Sequence, residues 1–418
     1  MGHRPMQKMI AGEAASMPAW ETLETFARAQ VQGFIQQLLE DEVAELLGRR
    51  KSERRAAVDA PSGSRHGHGK PRQLALMNGT ITVRRPRVRD LEERFVSRLL
   101  PLFQRRTKEV SALLPALYLH GLALGDCELA LRGLVGDAAP LAASSLVRLK
   151  ATWQAQYAAW HERDLSDRKL VYLWVDGVYV KAGLDTSKAA LLVLIGADAD
   201  GQKTVLAVES GQRESTESWA AVLRDLKRRG LPAPKLTIAD GHLGIWSGLA
   251  HVYPESAEQR CWNHKLRTVL DTVPKKHQSE VQAALQAIAR ADTVRQATAL
   301  RDTFARTYRR PHPTAVERLA SDWERMVAYY AFPKAHWRHL RTTNVIESPF
   351  AAVRLRTTAA KRFKKVENAT ALIWKTLLVV EHHFRKLNAP HRCTAVYEDA
   401  VFHDGICTIT PTRKLRAA

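Results

Sequence analysis

Apolar positions recur at helical spacing between Trp20 and Gly48: Phe26, Phe34, Leu38, Leu39, Val43, Leu46 and Leu47. The pattern predicts an amphipathic helix over 20–48, with Gly48 as its stop. The stretch LALMNGTITVRRPRV predicts a hairpin with Asn78-Gly79 at the turn. YLHGLALGDCELALRGLVG and LAASSLVRLKATWQAQYAAW predict two short helices, a turn near 136–140 and a longer helix. That is the outline of a helix-turn-helix.

From Arg168 the texture changes. KLVYLWVDGVYVK, AALLVLIGAD and KTVLAVES are apolar and rich in β-branched residues, so they predict strands, the first ending at Asp176. TESWAAVLRDLKRRG predicts a helix with Thr216 as N-cap and Gly230 as stop. KLTIADGH and EQRCWNHK predict two more short strands, and the alternation of strands and helices predicts a mixed α/β sheet. No glycine occurs between Gly248 and Gly405. Glycine averages about 7% in globular chains, so a gap this long implies uninterrupted helices. The expected organisation is an N-terminal helix, basic linker and hairpin over 1–100; a helix-turn-helix-like region over 101–165; an α/β core in two parts, 166–265 and 340–390, around an all-helical insertion at 266–339; and a tail over 391–418.

Charge narrows the function. The 418 residues carry a net charge of +21, an excess that calls for a polyanionic partner, nucleic acid first. Residues 49–72 alone hold eight Lys or Arg against two acids, either a solvated linker or a DNA backbone contact. The four cysteines are scattered, which excludes a disulfide framework and favours a reducing compartment. No apolar run is long enough to span a bilayer and the first residues lack a signal-peptide core, so a cytoplasmic protein is expected.

Three carboxylates stand out. Asp176 and Asp240 follow apolar strands and each precedes a glycine, Gly177 or Gly241, that lets backbone approach a ligand. Glu347 is the single acid between Arg338 and Lys365, among eight Lys or Arg residues. Three converging carboxylates suit Mg²⁺ or Mn²⁺, and two such ions can clamp the attacking and leaving oxygens of a displacement at phosphorus. Residue chemistry alone does not select these acids over Asp185, Asp198 or Glu209.

Four motifs in order, LWVDGVYVK, TIADGHLGIW, QRCWNHK and RTTNVIESPFAAVRLRT, resemble the Mutator-type transposases of bacterial insertion sequences. The resemblance runs from about Trp20 to Leu387. It implies an α/β ribonuclease H-like catalytic core with an all-α insertion, preceded by a mainly helical N-terminal DNA-binding region. The implied activity is divalent-metal-dependent DNA strand cleavage and strand transfer at terminal inverted repeats. The metal triad would be Asp176, Asp240 and Glu347, with two Mg²⁺ or Mn²⁺ ions. The partners would be double-stranded repeat and target DNA, and at least a second copy of the chain on DNA.

Other positions follow from the same motifs. Cys261 and His264 match a Cys-x-x-His motif of the family and are expected as a packed active-site pair; zinc would need four ligands. Arg354, Arg341 and Asn344 are expected to contact DNA. Arg354 lies seven residues after Glu347, hence on the same helix face, with Arg356 on a different side. Trp323 and Trp337 are either core residues or platforms for an unpaired base. Pro349, where the family more often has Phe-Asn, predicts a helix beginning near Ile346. Two other readings stay open: a non-catalytic DNA-binding relative, and a nuclease of the same fold without strand transfer.

Overall fold

Helix α1 (Leu23–Leu47) ends where Gly48 turns left-handed at φ 62°, a conformation that carries no side-chain penalty at glycine. The structure, a computed structural model, describes residues 20–55, 61–101, 105–136, 143–182, 188–211 and 215–409. The chain divides into two compact units, one made of 1–118 and 124–143, the other of 119–123 and 144–418.

In the first unit α1 is followed by strands β1 (Ser64–His68), β2 (Arg72–Leu76), β3 (Gly79–Val83) and β4 (Pro86–Arg89) and helices α2 (Lys108–Leu119) and α3 (Leu124–Val135). β2 pairs with β3 and β1 with β4, both antiparallel. Leu39, Leu74, Ile81, Val83 and Leu100 form the core. Gln32 and Gln36 of α1 accept from the Thr82 and Arg84 N–H groups at 2.9 and 2.8 Å, which fixes the helix along β3. The hairpin loop is Met77-Asn78, one residue earlier than expected, because Gly79 already pairs with Leu76. The turn expected at 136–140 falls largely on residues outside those described.

The second unit opens with α4 (Ala143–His161), then β5 (Leu170–Lys181), β6 (Lys188–Asp198), β7 (Lys203–Gly211), α5 (Thr216–Arg228), β8 (Leu236–Ala239), α6 (Leu243–Val252) and β9 (Ala257–Arg260). The sheet order is β7-β6-β5-β8-β9. The first three strands are antiparallel, while β8 and β9 run parallel to β5. Short connections suffice for the antiparallel strands; the parallel ones require the crossovers through α5 and α6. One face of the sheet buries Leu173, Val175, Leu192 and Leu194 against Trp219, Leu223, Ile245 and Leu249 of the crossover helices. On the other, Trp174 donates to the His339 carbonyl at 3.0 Å and the Tyr172 hydroxyl meets His336 Nδ1 at 2.8 Å.

Two local expectations need correction. α5 is capped by Ser215, whose side chain accepts from the Ser218 N–H; Thr216 is already helical. EQRCWNHK is a strand only as far as Arg260, after which Cys261 leads into a helix.

From there to Leu340 every regular element among the described residues is helical: α7 (Trp262–Leu270), α8 (Lys275–Ala289), α9 (Val294–Tyr308), α10 (Pro313–Ala320), α11 (Trp323–Val327), short 3-10 turns, and α12 (Trp337–Leu340). The chain closes with α13 (Asn344–Glu347), α14 (Phe350–Ala360), α15 (Val366–Glu381), α16 (His391–Tyr397) and a hairpin of β10 (Val401–His403) and β11 (Ile406–Ile409). The segment expected as a tail is therefore folded through Ile409, and the Lys334 N–H donates to the Gly405 carbonyl at 3.2 Å. No helix among the described residues is long and apolar enough to cross a membrane.

Candidate active site

Asp176 lies within β5, not at its end. The strand continues to Lys181 because β6 pairs with it as far as Lys188. β5 and β8 are in parallel register through Trp174 and Ile238. Asp176 stands two residues further along β5, and Asp240 follows directly on the last residue of β8, Ala239, near enough for the charge of Asp240 to act on the Asp176 carboxyl. The Gly177 N–H donates to Asp176 Oδ1 at 2.8 Å, and the His242 N–H donates to Asp240 Oδ1 at 2.9 Å.

The third acid arrives from the far end of the helical segment. The Trp262 N–H donates to the Arg341 carbonyl at 2.8 Å, joining the start of α7 to the residues before α13. α13 begins at Asn344, two residues before the expected start, and Glu347 is its last residue. Pro349 has no N–H to offer the Val345 carbonyl, so the helix breaks and α14 starts at Phe350. Glu347 is thereby presented at a break between helices.

Thr343, fully buried, organises this corner. Its N–H donates to Cys261 Sγ at 3.3 Å. Its hydroxyl lies 3.2 Å from the same sulfur, 3.4 Å from His264 Nδ1 and in hydrogen-bond contact with Glu347 Oε1. Donor atoms of Cys261, His264 and Glu347 lie within 4.8 Å of one another. They number one fewer than the four protein ligands of a structural zinc site, and the Thr343 hydroxyl lies within hydrogen-bond reach of all three residues. Thr343 thereby bridges Cys261 and His264.

Electrostatics ties the cluster together. Burial pushes the Asp176 carboxyl up to about 7, and the charges of Asp240 and Glu347 push the same way, against the Gly177 N–H and His264. His264 is raised to about 9, first by its hydrogen bond to Cys261, then by the charges of Cys261, Glu347 and Asp240, with burial opposing. Its Nδ1 is 3.7 Å from Glu347 Oε1. Groups from β5, β8, the start of α7 and α13 therefore sense one another in one pocket of mutually repelling carboxylates and one cation.

A buried ion cluster supports Asp240 from behind. Arg260 Nε donates to the Asp240 carbonyl at 3.3 Å, and its guanidinium pairs with Asp322. Asp322 also takes the ammonium of Lys265, which is only 1% exposed. Gly241 sits under Arg260 at φ 103°, and a Cβ there would come within 2.7 Å of Arg260 Cζ. Nothing in the sequence flags Asp322, 62 residues from Arg260, or distinguishes Thr343 from Thr342.

The expected DNA contacts differ in placement. Arg354 and Asn344 are exposed, and the Asn344 side chain accepts from Asn263 at 3.1 Å. Arg341 is turned into the helical segment, donating to the Ala289 carbonyl at 2.7 Å with its guanidinium 5.8 Å above the Tyr329 ring. Arg356 is 2% exposed and donates to the Leu122 carbonyl at 3.1 Å, so it cannot serve as a surface control for Arg354. Trp323 and Trp337 are both buried; Arg301 covers the first, and the second donates to the Phe332 carbonyl at 2.8 Å. Both are core residues in this structure.

Comparison with known proteins places this geometry in context. A family model described as "Transposase, Mutator family" matches residues 6–386. The chain is 43% identical over 303 residues, 72% of its length and 94% of the relative's, to the transposase for insertion sequence element IS6120 of Mycolicibacterium smegmatis. It is 42% identical over 282 residues, 66% of its length and 94% of the relative's, to the transposase for IST2 of Acidithiobacillus ferrooxidans. Over 359 residues, 85% of its length and 87% of the relative's, it is 30% identical to the transposase for ISRM5 of Rhizobium meliloti.

Proposed function

The chain belongs to the Mutator family of transposases, and from that premise we propose that it binds the terminal inverted repeats of its own insertion sequence and cuts and joins DNA strands there with divalent metal ions. The observation that carries the reading is the convergence of Asp176, Asp240 and Glu347 in one electrostatic cluster, from three separate stretches of chain. The sheet order, three antiparallel strands followed by two parallel ones, supports a ribonuclease H-like core formed by 166–265 and 340–390 around the helical 266–339.

The donor set fits the proposed ions. Three carboxylates are hard oxygen ligands, and an aspartate raised to about 7 by burial and neighbouring acids is relieved by a cation. Two bound Mg²⁺ or Mn²⁺ ions would supply activation of the attacking oxygen and stabilisation of the leaving one. The chain's own residues set the geometry: the β5–β8 register spaces Asp176 and Asp240, Arg260 holds the Asp240 backbone, and Thr343 orients Glu347. Cationic His264 lies beside Glu347 and limits the repulsion when no metal is bound. The N-terminal residues 1–165 recognise the repeat, and two or more copies bring the two element ends together on nucleoid DNA.

A plasmid carrying both ends of the element, incubated with the purified full chain, tests the proposal. Strand cuts at the repeat termini and joined products are expected in Mg²⁺ and none in chelator. Cutting without joining would favour the nuclease reading; binding without cutting in either Mg²⁺ or Mn²⁺ would remove the catalytic one.

Arg354 gives a narrower test. It is exposed on α14, one helix beyond Glu347, where a guanidinium can hold a phosphate beside the one being cut. Arg354→Ala should slow cutting by roughly 10-fold or more, in line with the loss of one charged hydrogen bond, without lowering the melting temperature. Arg356→Ala should instead lower it, since that side chain is buried. A cutting rate in Arg354→Ala equal to wild type would remove the residue from the DNA path.

A further inference from the structure

The β1/β4 ribbon in the first unit presents one face to α1 and a second, outer face away from it. Its register pairs Ser64 with Arg89 and Arg65 with Val88. Arg65 faces α1, where its Nη1 meets Glu40 Oε2 at 2.8 Å. Side chains alternate along a strand, so His66, Arg87 and Arg89 fall on the opposite face, with Arg85 in line just before β4. These four residues, together with Arg94 and Phe95, line a cleft of about 350 Å³ whose lining contains no carboxylate.

The charges are unspent. Among the described residues, Arg85, Arg87, Arg89 and Arg94 form no ion pair, whereas Arg65 on the other face pairs with Glu40. Arg85 Nη1 is buried and has no hydrogen-bond partner. Buried polar groups are nearly always satisfied, and a guanidinium does not escape by losing its proton. The nearest acid along β4, Asp90, is engaged by the Ser64 hydroxyl at 2.7 Å. Positive potential extends to Arg72, whose pKa is lowered by burial and then by Arg105 and Arg85. Such a cleft suits an anion with several acceptor oxygens. Arg85, Arg87 and Arg89 repeat every two residues, about 6.7 Å apart along the strand. That row is too long for one phosphate and suits a linear polyanion, which duplex DNA supplies at one charge per about 1.7 Å of axis.

We infer that the outer face of the β1/β4 ribbon docks on duplex DNA, with Arg85, Arg87 and Arg89 holding successive backbone phosphates and Arg94 closing the cleft. This rests on the reading of the chain as a DNA-binding transposase and adds where, and through which atoms, the first unit grips the duplex. Contacts to phosphate position a protein without reading sequence, so the ribbon contributes affinity to any duplex.

The test uses the full chain and a fluorescent duplex of arbitrary sequence, with affinity measured from about 0.1 M to about 1 M salt. Arg85→Ala/Arg87→Ala/Arg89→Ala should reduce the steepness of log affinity against log salt by about 2.7 units, and weaken binding about 500-fold at about 0.1 M salt but little near 1 M. Arg295→Ala/Arg309→Ala/Arg310→Ala removes the same charge from exposed positions of the helical segment and should leave the slope near wild type. Should the first variant melt early, Arg87→Ala/Arg89→Ala, both at exposed positions, should still lower the slope by about 1.8 units. An unchanged slope in the ribbon variants, or an equal loss in the helical-segment variant, would overturn the inference while leaving DNA binding intact. A wild-type chain that binds no duplex at any salt would sink both the inference and the reading beneath it.

Discussion

Asp176→Asn should reduce strand cutting by at least about three orders of magnitude while duplex affinity stays at the wild-type value. Metal stabilisation of developing charge is worth several kcal/mol, and each 1.36 kcal/mol is tenfold in rate. Asp240→Asn should behave alike, since the two carboxylates act on each other electrostatically. The two differ without metal. The Asp176 carboxyl is raised to about 7, above its ordinary value near 3.8. A raised carboxyl favours the folded state fully below the unfolded pKa, and that advantage disappears as pH rises through the folded one. In chelator, wild-type stability should therefore fall between about pH 4 and pH 7, and Asp176→Asn should lack this component and melt higher than wild type at about pH 8. Millimolar Mg²⁺ should raise the wild-type melting temperature and leave that of the variant unchanged, because only a site that binds the ion gains from it. Cutting by Asp176→Asn at ordinary Mg²⁺, or melting profiles that overlay at every pH, would take Asp176 out of the metal site.

Asp322→Ala is expected to be the most damaging change away from the carboxylates. Its two oxygens meet the buried Lys265 ammonium and the Arg260 guanidinium. Among the described residues, the Lys265 ammonium also donates to the Ser321 hydroxyl at 3.3 Å. Breaking a buried pair by removing one partner costs about 3–5 kcal/mol, because the remaining charge stays desolvated. Here two cations would be left facing each other. Because Arg260 also holds the Asp240 carbonyl and covers Gly241, molecules that remain folded should cut DNA poorly. Urea unfolding followed by tryptophan fluorescence reads the second unit directly, since Trp262 and Trp323 pack edge-to-face beside this cluster. A loss under about 1 kcal/mol, or full cutting activity in the variant, would show that Asp322 does not hold the site.

The sheet was legible because its strands are continuous apolar runs, and the helical segment because it lacks glycine. The choice among acids was not. Asp198 turns out to be bonded to Arg168 at 2.7 Å, and Glu209 to His161 at 2.8 Å and Tyr157 at 3.1 Å. Those partners lie 30 to 52 residues away, so only three-dimensional contacts remove these two acids from contention; Asp185 lies outside the described residues. Asp176 was misplaced to a strand end because the Asp-Gly pair looks like a terminus, whereas pairing with β6 carries the strand past it. Helix periodicity correctly separated Arg354 from Arg356 by face, but the expected shared face of Arg354 and Glu347 does not exist, because the helix breaks at Pro349 and the two residues stand on different helices. It did not tell which face was buried, and the residue chosen as a harmless control proved to be the one inside.

The bond between the Trp262 N–H and the Arg341 carbonyl closes the helical segment at its root. A stretch of chain that departs and returns at one point is an excursion, and the cost of closing such a loop grows only slowly with its length. Lengthening or shortening its far turns is therefore expected to leave Glu347 unmoved relative to Asp240. The residues that admit no such drift sit at the root: Arg260, Asp322 and Thr343, which fix where the excursion begins and ends. A change in the far helices is thereby expected to alter what they touch, while the spacing of Asp240 and Glu347 is held by a few bonds at their base.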